Sequence, residues 1–355
     1  MKEKRKRRIR VAVLCGGDSP ERAVSLRSGE RIASALRRRG YLVATVDPSA
    51  EYVEREMVFT SSPPRKCPCR VRQSRRSRAL TPERRGKSPK FTLSATVFCK
   101  SSDVVFLALH GGAGEDGHIA AVLECMGIPH TGSDHKGLCL SMDKLLSKRL
   151  MTEAGIPTPE YVLPPSQNGA KTANHGDLPR DCPFPCVVKP TCGGSSIGVK
   201  MANSPDELTA ILTANKSKTE DLIIERRIVG REFTVGILNG EALAVTEIIP
   251  KHGFYDYNNK YTKGATEEIT PAKIDLETET AIKTAALNTH KALCLGAYSR
   301  IDIMVESETD KVFVLEANAI PGMTATSLLP QGAAAVGIDF DTLCERILKQ
   351  ALKTV

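Results

Sequence analysis

The chain has no tryptophan, and only 5% of its 355 residues are aromatic, so its interior has to be assembled from Leu, Ile, Val and Ala. It also lacks any run near the roughly 20 apolar residues that a membrane-crossing helix requires. The basic stretch Lys2–Arg10 precedes an apolar run, Val11–Cys15, that stops at Gly16. That run is shorter than the roughly 7–15 apolar residues of a secretory leader. We therefore expect a cytoplasmic protein without membrane contact. An even set of cysteines is missing as well: there are eleven, scattered through segments that read as strands and helices. Reduced thiols acting as small apolar residues fit that scatter better than a disulfide framework. Neither Cys67/Cys69 nor Cys182/Cys186/Cys192 supplies the two spaced pairs of a structural zinc site.

Positive charge is in excess, +9 overall. Residues 1–10 contribute +6 and residues 65–90 contribute +10, which leaves the remainder at −7. The basic character belongs to two segments and not to the body of the chain, which argues against nucleic acid as the partner. The second segment lies in a stretch, 58–92, rich in Arg, Ser and Pro and without apolar periodicity. Such composition cannot bury enough surface to offset its ordering entropy, so a flexible basic surface insertion is expected there.

Around the insertion, apolar runs alternate with helical spacing. Residues 10–14, 42–46 and 104–109 read as buried strands, whereas 25–39 and 118–126 carry helical periodicity and stop at Gly40 and Gly127. This alternation predicts an α/β domain over residues 1–143, an open parallel sheet covered on both faces. A helix over 141–154 follows, then strands at 186–189, 222–225, 232–237 and 242–249, with a Ser204-capped helix between the first two. A polar loop at 250–271, a helix at 276–293, a strand pair at 299–305 and 311–316 and a helix at 340–352 complete an α+β C-terminal part.

Three constellations carry chemistry. Arg300 and Asp302 share one strand face, as do Glu316 and Asn318, because strand side chains alternate. A turn near Glu308 would set Arg300 opposite Glu316 with Asp302 diagonal to it. Two carboxylates and an amide oxygen beside an arginine suit Mg²⁺ bridging nucleotide phosphates, although an ion-pair network across a hairpin would use the same residues. Next, Lys189 precedes Gly193, Gly194, Ser195, Ser196 and Gly198, a loop whose N–H groups can gather on a phosphate but which also fits an ordinary turn. Last, Gly16–Arg22 and His110–Gly117 end the first and third strands, where an open parallel sheet binds ligands; Glu21 could receive an ammonium group there.

Taken in order, the motifs resemble the D-alanine–D-alanine ligases, members of the ATP-grasp superfamily. They are Gly-Gly-x-Ser-x-Glu-Arg at 16–22, Leu-His-Gly at 109–111 and Gly-Glu-Asp-Gly at 114–117, Ser-Met-Asp-Lys at 141–144 and Val-Lys-Pro at 188–190. Gly-Ser-Ser-x-Gly at 194–198, Phe-Tyr-Asp-Tyr at 254–257 with Lys260-Tyr261, Arg-Ile-Asp at 300–302, Glu-Ala-Asn at 316–318 and Pro-Gly-Met-Thr at 321–324 follow. The likeness covers nearly the whole chain except residues 1–8 and the insertion. It implies an N-terminal substrate-binding domain followed by an ATP-grasp fold of two subdomains, 144–230 and 231–355, with a lid loop at 251–270.

The resemblance also implies roles. ATP would be held by Lys144, Lys189, Gly194, Ser195 and Ser196, with Glu225 near the adenine, Glu232 on the ribose and Lys260 on the transferring phosphoryl group. Asp302, Glu316 and Asn318 would hold two Mg²⁺ ions, with Mn²⁺ as a substitute. The first D-alanine would meet Glu21, His110 and Arg300, and the second Ser327 and the Leu328 backbone. Arg300 and Gly322 would stabilise the tetrahedral oxyanion. Tyr261, directed towards Glu21 and Ser195, favours D-alanine over D-lactate as second substrate. A homodimer is a further expectation from the family. Ala319-Ile320 departs from the family, which often has Thr at the first of these positions. The alternatives are another ATP-grasp carboxylate–amine ligase, including D-lactate- or D-serine-using enzymes, and a basic-tailed binding protein. Retention of the acids, Arg300 and Lys260 argues against the last.

Overall fold

The structure, a computed structural model, describes residues 7–50, 58–62, 91–164, 178–179, 181–194, 196–215, 221–251 and 264–353. Strands β1 (Arg10–Leu14), β2 (Leu42–Val46) and β3 (Val104–Leu107) pair in parallel in the order β2-β1-β3. Their unbroken apolar sequence is explained by burial on both faces. Ala12, Leu14, Val105 and Leu107 enter one core, and Val11, Val13, Val104 and Phe106 enter another. Helix α1 (Arg22–Arg38) lies so close to β1 that a Cβ added at Gly29 would stand 2.4 Å from that of Cys15.

Helix α2 (Leu93–Lys100) is capped by Thr92, and α3 (His118–Cys125) follows β3. The single helix expected over 141–154 is instead two, α4 (His135–Met142) and α5 (Lys144–Glu153). Asp143 breaks them apart: its ψ of 104° is extended, and its carboxylate accepts from the N–H groups of Leu145 and Leu146.

The second sheet comprises β4 (Tyr161–Val162), β5 (Cys186–Pro190), β6 (Lys200–Ala202) and β7 (Leu222–Arg226), ordered β4-β7-β5-β6 and antiparallel. Helix α6 (Pro205–Ala214) presses Leu208 and Leu212 onto Val188 and Ile224. The third sheet is antiparallel, in the order β10-β9-β8-β11-β12. Its strands are β8 (Gly230–Leu238), β9 (Glu241–Pro250), β10 (Thr266–Ile269), β11 (Tyr298–Glu306) and β12 (Val312–Asn318). β7 and β8, close in sequence, therefore lie in different sheets. Helix α7 (Leu276–Ala292) packs on this sheet, and α8 (Leu328–Ala335) precedes α9 (Phe340–Ala351). Leu343, Ile347 and Leu348 of α9 join Ile32 and Leu36 of α1 in one core, so the chain's last helix closes on its first.

Both ends of the insertion expected over 58–92 belong to the fold: Thr60 exchanges backbone hydrogen bonds with Val43, and Thr92 caps α2. Residues 63–90 lie outside the described ones, as do Ser195, Lys260, Tyr261 and most of the expected lid. Among the described residues no helix is long and apolar enough to cross a membrane. The described cysteines are unpaired, and burial pushes the Cys99 thiol up to about 12, in keeping with inert apolar packing. Gly29→Val should cost about 1–3 kcal/mol by overpacking the α1–β1 contact. Urea titration checks this, and an unchanged midpoint would show that α1 can retreat freely.

Candidate active site

The β11–β12 hairpin brings its polar residues to one face, but not in the expected register. Asp302 stands opposite Glu316, and Arg300 opposite Asn318. Two one-residue offsets add up. The pairs next to the turn, such as Val305 with Val312, are centred between Glu308 and Thr309 and not on Glu308. A bulge then lies between the Asp302 and Ile303 pairs, where Leu315 has no counterpart on β11. The extra residue also changes the phase of β12. Val314 and Ala317 both enter the core, and the consecutive residues Leu315 and Glu316 both line the neighbouring cleft. Asp302 is 5% exposed and is held from three directions. Arg300 grips it through Nε and a terminal nitrogen at 2.9 and 2.8 Å, Thr234 Oγ1 donates at 2.6 Å and Asn318 Nδ2 at 3.1 Å. Among the described residues no three His, Cys, Asp or Glu gather as a metal cage. Two facing carboxylates and an amide suit an Mg²⁺ ion whose remaining ligands are phosphate oxygens and water.

The cleft, about 320 Å³, lies between the second and third sheets. Val187, Met201, Ile228, Met304 and Leu315 make an apolar slot, with Glu225 and Glu232 among its polar groups and Lys144, Lys189 and Glu316 beside them. Glu225 is 2% exposed; its Oε2 takes Lys189 Nζ at 2.8 Å and Lys148 Nζ at 3.4 Å. Its Oε1 is buried and has no hydrogen-bond partner among the described residues. Lys144 donates to the Gly193 carbonyl at 2.6 Å and lies 3.9 Å from Glu316. Burial lowers the ammonium pKa of both Lys144 and Lys148, the latter to about 8, with Glu316 and Glu225 respectively opposing the shift.

Above the slot runs the glycine-rich loop. Gly193, Ser196 and Gly198 all have positive φ, and a Cβ at Gly198 would meet Pro190 at 3.0 Å, so the loop's path depends on glycine there. The same loop approaches Glu21: a Cβ on Gly194 would lie 3.4 Å from Glu21 Oε2. Glu21 sits at the start of α1 but makes no capping bond to it. His110 is enclosed, Nε2 3.1 Å from Ser28 Oγ and Nδ1 3.6 Å from Glu115. Ser28 Oγ in turn accepts from Met323 N at 3.2 Å, tying the N-terminal sheet to the 321–324 loop.

That loop opens on a second, wider cavity of about 760 Å³. Arg300, Gly322, Ser327 and Leu328 share its wall with Arg27 and Arg31 of α1. Ser327 precedes α8 without a side-chain cap, so the Leu328 end of the helix can serve as an anion anchor. Arg300 therefore stands where the Asp302 carboxylate on one side meets this second cavity on the other.

The structure thus gathers the expected residues around two cavities and the Glu21 crevice, with Ser195, Lys260 and Tyr261 outside the described residues. It adds Ser28, Lys148 and Thr234, which the sequence did not single out. Lys148 lies one helical turn beyond Lys144, a spacing that could have drawn attention to it.

Known proteins share this arrangement. The families described as D-ala D-ala ligase N-terminus and D-ala D-ala ligase C-terminus match residues 10–133 and 150–349. A D-alanine–D-alanine ligase from an Anaeromyxobacter species is 39% identical over 344 residues, 96% of each chain. The enzyme of the same name from Pediococcus pentosaceus is 37% identical over 348 residues, 96% of this chain and 97% of its own. The crystal structure of the D-alanine–D-alanine ligase from Bacillus anthracis complexed with ATP superposes with a TM-score of 0.73 at 29% identity, covering 98% of both chains. With both halves matched and relatives aligned almost end to end, the chain belongs to the D-alanine–D-alanine ligase family.

Proposed function

We propose that the chain joins two D-alanine molecules at the expense of ATP, making the dipeptide used in peptidoglycan precursors. The observation that carries this reading is the position of Arg300, between the acidic face of a nucleotide-sized cleft and a cavity ending at a helix N-terminus. Three working units, 1–143, 144–230 and 231–355, correspond to the amino-acid crevice and the two walls of the nucleotide cleft.

In this reading the adenine enters the apolar slot and donates to the buried Glu225 Oε1, and Glu232 receives the ribose. Lys144, Lys189 and the backbone of 194–196 hold the phosphates. Asp302, Glu316 and Asn318 would hold Mg²⁺, which when bound would neutralise phosphate charge. Glu21 orients the first D-alanine by its ammonium group, with His110 and Arg300 facing its carboxylate. A carboxylate is a poor electrophile, and transfer of the γ-phosphoryl group supplies its leaving group. The amine of the second D-alanine, its carboxylate at Ser327 and the Leu328 N–H, then attacks the acyl carbon. Arg300 and the Gly322 N–H stabilise the oxyanion, and phosphate leaves. Acyl phosphates hydrolyse, so the 251–270 loop with Lys260 and Tyr261 is assigned the exclusion of water. The homodimer and the cytoplasmic setting, where ATP is available, belong to the same proposal.

Incubation with Mg-ATP and D-alanine should release ADP and phosphate with formation of the dipeptide, whereas L-alanine, D-serine or D-lactate as sole acceptor should not. ADP release confined to another acid would overturn the substrate assignment. Arg300→Ala should reduce kcat by at least about a hundredfold, the scale on which a lost oxyanion donor acts. Near-normal turnover would remove Arg300 from the chemistry. Deleting residues 63–90 should leave kcat and both KM values within about twofold, because the flanking contacts at Thr60 and Thr92 are retained; a lost activity would give the segment a catalytic role.

A further inference from the structure

We infer that Lys148 is a positioning residue for Glu225 and that it thereby sets the preference of the cleft for a base bearing an amino group, adenine over guanine. The inference rests on the nucleotide reading of the cleft given above. Lys148 is fully buried and does not line the cleft, so it has no direct route to a ligand. Its ammonium group donates to Thr158 Oγ1 at 2.6 Å, lies 3.4 Å from both the Pro159 carbonyl and Glu225 Oε2, and sits 5.8 Å from the Tyr161 ring centre. Thr158 Oγ1 donates onward to the Val314 carbonyl at 2.9 Å, so the anchor is fastened to β12 as well as to α5.

Two lysines meet the same oxygen of Glu225, and they are not equivalent. Lys189 lines the cleft and in the proposed reaction turns to phosphate. Without a second partner Glu225 would then carry an unpaired charge in a buried place, at a cost large enough to favour its displacement. Lys148, which cannot leave, stays paired with Oε2 and holds it in place. Oε1 is thereby fixed as a pure acceptor towards the base. An exocyclic amino group donates to it, whereas a base carbonyl at the same place sets oxygen against oxygen.

The test uses the whole chain and measures kcat and KM for ATP and for GTP in the parent, Lys148→Met, Glu225→Gln and the double variant. Lys148→Met should raise KM for ATP about tenfold, the scale of a lost charge-assisted hydrogen bond. It should also reduce the ATP-over-GTP preference by a similar factor, with kcat at saturating ATP and KM for D-alanine within twofold. The double variant should be no worse than the poorer single one, because Lys148 acts only through Glu225. Equal losses for ATP and GTP, a fall in kcat matching the rise in KM, or additive losses would overturn the inference. Should Lys148→Met not fold, Thr158→Val removes the anchor and keeps the ammonium, and must produce the same KM split; an unchanged KM for ATP there counts against the role. No effect of Glu225→Gln on KM for ATP would instead remove the base-site reading itself, whereas an effect of Glu225→Gln without one of Lys148→Met removes only the role of Lys148.

Discussion

Three lysine ammonium groups, Lys144, Lys148 and Lys189, are buried together against the carboxylates of Glu225 and Glu316 between two sheets. Charges are costly away from water, and well-packed apolar residues would serve stability better. The arrangement makes physical sense as one half of a neutralisation that a polyanion completes. Its members come from α5, β5, β7 and β12, so the second and third sheets must meet here and not elsewhere. The break at Asp143 follows from the same need: it starts α5 afresh, with Lys144 in the first turn and Lys148 one turn on, both directed inward.

Around this centre the fold supplies opposite kinds of support. The apolar slot lowers the polarity around the charges beside it and so strengthens them, whereas the glycine-rich loop offers backbone that side chains would obstruct. On the far side, α9 seats α1 against the body of the molecule, and the Ser28 hydroxyl ties His110 to the 321–324 loop. The crevice of Glu21 and the cavity of Ser327 are thereby tied together through α9 and Ser28, neither of which is given a substrate contact in the proposed reaction.

Much of this was legible in the sequence, for identifiable reasons. The parallel strands announced themselves because burial on both faces leaves no polar position in runs such as Val104–Leu107. Asp302, Glu316 and Asn318 were found because alternation alone puts polar side chains on one face of a strand. The register was misread by two residues, because the turn centres between Glu308 and Thr309 and because a bulge is invisible to a pairing argument that counts back from the turn. Its trace was nonetheless present: Val312 and Val314 are apolar at even positions, and Glu316 and Asn318 are polar at even positions, a change of phase that a regular strand cannot accommodate. Helix α8 was not expected: Pro330 and Gly332 weaken its helical signal, although proline is tolerated in a first turn. Lys148 escaped because a lysine on a helix ordinarily reaches solvent, and only the tertiary structure shows that this one does not.

The bulge at Leu315 separates two kinds of work that a regular strand would merge. An even pleat sends one side chain to a face for every two residues, roughly 6.6–6.8 Å of chain. Here neighbouring residues reach the same cleft, one as apolar wall and the other as carboxylate. A chain one residue shorter at this point would restore even pleating, keep Asp302 opposite Glu316, and lose only the wall. Base recognition and phosphate chemistry can therefore diverge through the length of one strand, with every catalytic letter left in place.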